Sequence, residues 1–110
     1  MSIQKQILHN KGMCRIKFTL TDTLVDHPKE AALLGDFNNW NPQKDIMHKA
    51  RNGFFEYTVE VPLGKVYQFR YLVDRWHWEN DWQADDYAPV PFSEDTNMVI
   101  ICNGPDQSES

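Results

Sequence analysis

The stretch Val66-Tyr67-Gln68-Phe69-Arg70-Tyr71-Leu72-Val73 places Tyr67, Phe69, Tyr71 and Val73 at one parity and Gln68 and Arg70 at the other. Successive side chains of a strand point to opposite faces, so this pattern predicts a strand with one face in a core and the other in water. Upstream, Phe54–Val61 repeats it, with Phe55, Tyr57, Val59 and Val61 set against Phe54, Glu56, Thr58 and Glu60. Further back, Cys14, Ile16, Phe18 and Leu20 share a face opposite Arg15, Lys17 and Thr19. Downstream, Asn97–Cys102 is a nearly continuous β-branched run, and Ala31–Phe37 is a weaker strand that ends in Gly35-Asp36.

Turn signals separate these runs: His27-Pro28, Asn41-Pro42, Asn52-Gly53, Pro62-Leu63-Gly64 and Asn103-Gly104-Pro105. Asn52-Gly53, between Met47–Ala50 and Phe54–Val61, predicts a hairpin. Pro62–Lys65, between two alternating runs, predicts a second. No segment sustains a 3.6-residue period with caps; Trp82–Tyr87, about one and a half turns long, is the best helical candidate. Five to seven strands at this spacing predict an all-β fold, an antiparallel β-sandwich of immunoglobulin-like type. The expected organisation is an N-terminal extension over 1–12, one domain over 13–103 and a flexible polar tail over 104–110.

With 110 residues the chain is long enough for one domain and too short for two. Hydrophobic residues make up 41% and charged residues 25%, the balance of an ordinary globular protein that folds without disulfides or metal. The net charge of −5 comes without any Lys/Arg run, which argues against a phosphate backbone as partner and so against nucleic acid. A neutral polyol is indifferent to that charge. Residues 1–12 lack the apolar core of a secretory signal, and no apolar run is long enough to span a bilayer. Cys14 and Cys102 sit in apolar stretches near opposite ends of the chain. They can pair if the terminal strands are neighbours; two buried free thiols is the plainer alternative, and it fits a reducing cytoplasm.

Four local patterns lie on this strand map in order: Leu33-Leu34-Gly35-Asp36-Phe37-Asn38-Asn39-Trp40-Asn41-Pro42, Asn52-Gly53-Phe54-Phe55, Tyr67-Gln68-Phe69-Arg70-Tyr71-Leu72-Val73-Asp74, and Thr96-Asn97-Met98-Val99-Ile100. Together they resemble the family-48 carbohydrate-binding modules. These are early-set immunoglobulin-like domains found at the front of isoamylases and glycogen branching enzymes, and in the beta subunit of AMP-activated protein kinase. The resemblance runs from about Cys14 to Cys102. Lys5-Gln6 leading to Cys14-Arg15-Ile16, and Asn80–Asp85 followed by Tyr87, resemble short stand-alone bacterial forms in particular.

The resemblance implies non-catalytic binding of α-1,4-glucans such as glycogen, starch or maltooligosaccharides. It also implies a site. Trp40 matches the family's first stacking aromatic, Arg70 its basic strand residue and Asn97 the Asn that opens its last strand. The second stacking aromatic matches Trp78, with Trp76 as the alternative, because Arg75 replaces the usual glycine in Val73-Asp74-Arg75-Trp76-His77-Trp78. The chemistry is sound: flat aromatic faces stack on sugar C–H faces, as they do on bases, while amide and guanidinium groups bond hydroxyls. Asn38 and Asn39 are expected to build the turn that presents Trp40. Trp82 is expected to pack the Asn80–Tyr87 segment against the sheet.

No catalytic set is expected. A glycosidase needs two carboxylates flanking the scissile bond in a cleft, whereas Glu79, Asp81, Asp85 and Asp86 read as solvated loop charges. His9, His27, His48 and His77 lack ligand spacing, and neither a Cys-x-x-Cys pair nor an EF-hand loop is present, so no metal or cofactor is expected. The alternative function is a protein-interaction domain, or a homodimer, that keeps the sandwich without a working sugar site.

Overall fold

The computed structural model describes residues 2–21, 26–79, 84–90 and 96–102. Nine strands occur among them: β1 (Ser2–Leu8), β2 (Met13–Leu20), β3 (Ala31–Gly35), β4 (His48–Lys49), β5 (Phe55–Pro62), β6 (Lys65–Val73), β7 (His77–Glu79), β8 (Asp86–Pro89) and β9 (Thr96–Cys102). One sheet has the order β1-β2-β5-β4 and the other β3-β6-β9-β8, with β7 also paired to β6. All the pairings are antiparallel. The fold is an all-β, immunoglobulin-like sandwich, as the alternation predicts. No helix of the described residues is long and apolar enough to cross a membrane.

The inward faces are the ones the alternation assigns. Cys14, Ile16, Phe18 and Leu20 from β2 meet Tyr67, Phe69, Tyr71 and Val73 from β6, with Met98, Ile100 and Cys102 from β9. At the centre, Phe18 lies edge-on to Phe69 at 4.9 Å, and Phe69 to Tyr71 at 5.8 Å. Edge-to-face geometry lets the positive ring edge meet the negative ring face, a preference beyond area burial alone. Cys14 and Cys102 are both buried free thiols in this one core.

Three local expectations need correcting. Pro62–Lys65 is not a hairpin: β5 is already flanked by β2 and β4, so the chain passes to the opposite sheet. Gly64, at φ 83°, turns it there and donates its N–H to Cys102 O. Ser2–Leu8 is a strand that alternation does not reveal, because Lys5 falls between Ile3 and Ile7 at their own parity. Its ammonium crosses the sandwich edge to Asp85 Oδ2 (2.8 Å) and Ile101 O (3.1 Å). Such an inward-turned charge protects an edge strand against pairing with another chain. In Trp82–Tyr87, Ala84 and Asp85 bend and Asp86 opens β8, so that described part is not helical. Trp82 itself and the tail 104–110 lie outside the described residues. By contrast, Asn52-Gly53 does close a hairpin, with Ala50 donating to Phe54 O at 2.7 Å and Gly53 at φ 87°.

Candidate functional site

Because Tyr67, Phe69, Tyr71 and Val73 are buried, Gln68, Arg70 and Leu72 face outward from β6. Strand β6 pairs with β3 along one edge, while the other edge is shared between β9, as far as Phe69↔Met98, and β7, from Tyr71↔Glu79. Arg70 sits at the handover. One residue beyond Met98, Asn97 comes level with it, and Asn97 Nδ2 donates to Gln68 Oε1 at 2.9 Å.

Trp78 is directly opposite Leu72 in the β6–β7 register, so it shares the outward face. Its ring lies over the Arg70 guanidinium, 4.7 Å from carbon Cζ to the ring centroid. This cation–π contact is worth about 0.5–1 kcal/mol at an exposed site, and it holds both groups in place. Trp78 is 39% exposed. Trp76 is 68% exposed on the preceding turn, its ring edge-on to His77 rather than beside Arg70. Of the two candidates, the register therefore brings Trp78 to Arg70.

Trp40 arrives by a built loop. After Gly35 a 3₁₀ turn (Asp36–Asn38) is followed by Asn39 at φ 56° and Trp40 at φ 57°. Left-handed backbone is unusual for a bulky side chain and needs support. Trp40 N–H donates to Gly35 O and its indole Nε1 to Asp36 Oδ1, both at 3.0 Å. Asp36 Oδ2 in turn accepts the backbone N–H of Gln68 at 2.8 Å. Trp40, half-buried, is thus tethered to β6 two residues from Arg70.

Beneath the loop, Asn38 is 3% exposed and fully engaged. It accepts from Gly35 N–H (3.0 Å) and donates to Leu33 O (2.8 Å) and Asp45 Oδ2 (2.6 Å). Tyr57 hydroxyl donates to Asp45 Oδ1 at 2.9 Å, and that carboxylate, helped by burial, raises the Tyr57 pKa above its ordinary value. Asn38 and Asn39 therefore build the turn.

The β6–β7 turn is also anchored. Asp74 Oδ1 accepts the backbone N–H groups of Lys29 (2.8 Å) and Glu30 (2.9 Å), which hold its pKa below the usual carboxylate range. Asp74 and Arg75 occupy left-handed backbone, at φ 51° and 68°. Gln68 and Asp36, absent from the sequence-derived set, complete the cluster. The signal for Gln68 was its parity with Arg70; for Asp36 only the tertiary hydrogen bonds reveal it.

Glu79 needs a correction. It is buried inside β7, with Oε2 2.7 Å from His77 Nε2, and is not a solvated loop charge, because position 79 takes the core-side parity opposite Tyr71. Asn80 and Asp81 lie outside the described residues. Asp85 pairs with Lys5 and accepts Ile101 N–H at 2.7 Å. Among the described residues no group of three or more His, Cys, Asp or Glu is placed to hold a metal ion.

A comparison of the chain with protein families matches residues 25–88 to the model of carbohydrate-binding module 48 (isoamylase N-terminal domain). The matched segment runs from the approach to β3 into β8, and it carries Trp40, Arg70, Trp76 and Trp78.

Proposed function

The chain belongs to the carbohydrate-binding module 48 family, and from that premise we propose that it binds α-1,4-glucan chains, without cleaving them, on the outward face of β6. Trp40 and Trp78 serve as stacking platforms, and Arg70 and Asn97 bond the sugar hydroxyls. The observation that carries this reading is the Trp78–Arg70 stack beside the Asn97–Gln68 pair, with Trp40 tied through Asp36 to the same strand. From Gln68 to Leu72 is four residues, about 13 Å at strand rise. That span suits an oligosaccharide of several units better than a monosaccharide. A half-exposed platform of this kind discriminates by length and shape, because ordering costs consume much of the gain from each contact.

The test is a titration with maltoheptaose followed by tryptophan fluorescence and calorimetry. The expected outcome is saturable binding with the sugar recovered intact. Each of Trp40→Ala and Trp78→Ala should cost on the order of 1–3 kcal/mol, about 5- to 150-fold in Kd, with the fold preserved. Trp76→Ala should leave the affinity unchanged. No response up to millimolar sugar, in folded protein, would sink the proposal.

A second reading is a protein-docking or self-association surface, for which the 68% exposure of Trp76 is the supporting observation. It predicts that the molar mass in solution, or binding to a partner protein, responds to Trp76→Ala while sugar does not bind.

A further inference from the structure

The outward face continues past Trp78. Trp78 on β7 is opposite Leu72 on β6, Leu72 is opposite Ala32 on β3, and Ala32 bridges to Ile46 in the loop along the β3 edge. Directly paired residues of antiparallel strands share a face, so these four side chains form one transverse row. Three strand spacings make it about 14 Å long. The row is not level. Trp78 and Ile46 are 39% and 43% exposed, and Ala32, the small member between Leu72 and Ile46, is nearly buried. The dip is an open cleft of about 470 Å³, with Leu72, Ala32, Ile46 and Pro42 forming its floor and wall, and Gln43, Glu30 and Arg75 at its polar edge.

We propose that this cleft is a further subsite for the same glucan, taking glucose units that extend beyond the Trp78 platform; this deepens the glucan-binding reading and rests on it. Three observations support a sugar as the occupant. The cleft is continuous with Trp78 through Leu72, so a chain stacked on Trp78 reaches it without leaving the surface. Its wall is apolar where a sugar ring presents C–H groups. Its edge carries both donors and acceptors, as hydroxyls require. Arg75 Nε pairs with Glu30 Oε1 at 2.5 Å, so the edge bears no net charge and suits a neutral ligand better than an ionic one. Arg75 holds that place from left-handed backbone, where a glycine would sit without strain. Gln43, three residues after Trp40 on the same loop, makes the cleft the second place where that loop meets the chain.

The experiment compares maltotriose with maltoheptaose on the wild type, Ala32→Leu, which fills the dip, and Gln43→Ala, which removes an exposed amide. Thermal melts and light scattering accompany each protein. The wild type should prefer maltoheptaose. Each variant should weaken maltoheptaose about 3- to 10-fold and leave maltotriose within about twofold, lowering the ratio between the two. Gln43→Ala keeps the proposal testable if Ala32→Leu does not fold. A wild-type ratio retained by the folded variants overturns the subsite while leaving the Trp78 site standing. So does a change in molar mass in place of a change in sugar affinity, which would assign the cleft to a second copy of the chain. If the folded wild type binds neither sugar, the subsite falls together with the reading beneath it, and the wild-type titration by itself identifies that case.

Discussion

Gly35 earns its place through space. Its backbone is extended, at φ −171°, a conformation open to any residue. A Cβ there would lie 2.7 Å from Gln68 O and 2.8 Å from Phe37 Cζ. The close approach lets Phe37 turn back toward the core, where its ring lies 6.2 Å from those of Phe18 and Tyr67, while Asp36 reaches the Gln68 backbone. Gly35→Ala should therefore destabilise the protein by about 1–3 kcal/mol, as overpacking does, measured as a lower urea midpoint with an unchanged slope. A midpoint equal to wild type would mean that Phe37 and the strand yield freely. At this scale the sequence was partly legible. Gly35-Asp36-Phe37-Asn38-Asn39-Trp40 was readable as a turn presenting an aromatic, since each residue type suits a turn locally. The reason for Gly35 was not, because the atoms that exclude a Cβ belong to another strand and to a ring turned back on it.

Among the elements, β6 organises the site, and what sets its far end is the anchored turn into β7. Asp74 ties that turn to residues 29 and 30, accepting two backbone N–H groups and donating its own N–H to Glu30 O. The N–H donors lower the Asp74 pKa in the folded protein below the ordinary 3.8. The unfolded chain therefore takes up the proton first as pH falls. The stabilisation is complete above about pH 4 and disappears as pH drops through the lowered folded value. Asp74→Asn should thus melt below wild type at pH 7, with the gap closing as pH falls below about 4. A gap that stays constant over that range would show that the charge is not what the turn uses. Element existence was legible for β2, β5, β6 and β9, whose alternation is a local property of the pleat. It was not legible for β1, where Lys5 interrupts the apolar parity for a partner on the other sheet. Nor was the role of Pro62–Lys65 legible, because a short connection between two alternating runs reads the same whether they pair or part.

Across the whole molecule, the two sheets meet at Cys14 on β2 and Cys102 on β9. Burial, reinforced by the neighbouring Cys14, pushes the Cys102 thiol from 9.0 up to about 12. A folded pKa above the unfolded one stabilises the native state below pH 9, and that stabilisation is lost as pH climbs from 9 toward 12. Wild type should therefore lose stability to urea more steeply above pH 9 than Cys102→Ala does. At pH 8 a thiol reagent should label native protein only as fast as it unfolds. Rapid labelling of folded protein would place the thiols at the surface and contradict the core described above.

By itself the sequence determined that the chain is built of strands, which side chains of the main strands face inward, and which family it belongs to. Those are local or linear properties: the pleat alternates with period two, and the four family patterns follow one another along the chain. Only the tertiary structure decided which strands pair, that β1 closes one sheet, and which tryptophan stands beside Arg70. Trp76 and Trp78 are two residues apart, so alternation alone gives them the same face. What separates them is a turn in left-handed backbone at Asp74 and Arg75, held from residues 29 and 30, which leaves Trp76 outside the strand and puts Trp78 opposite Leu72. That choice depends on contacts between segments 44 and 45 residues apart, and no local pattern carries it.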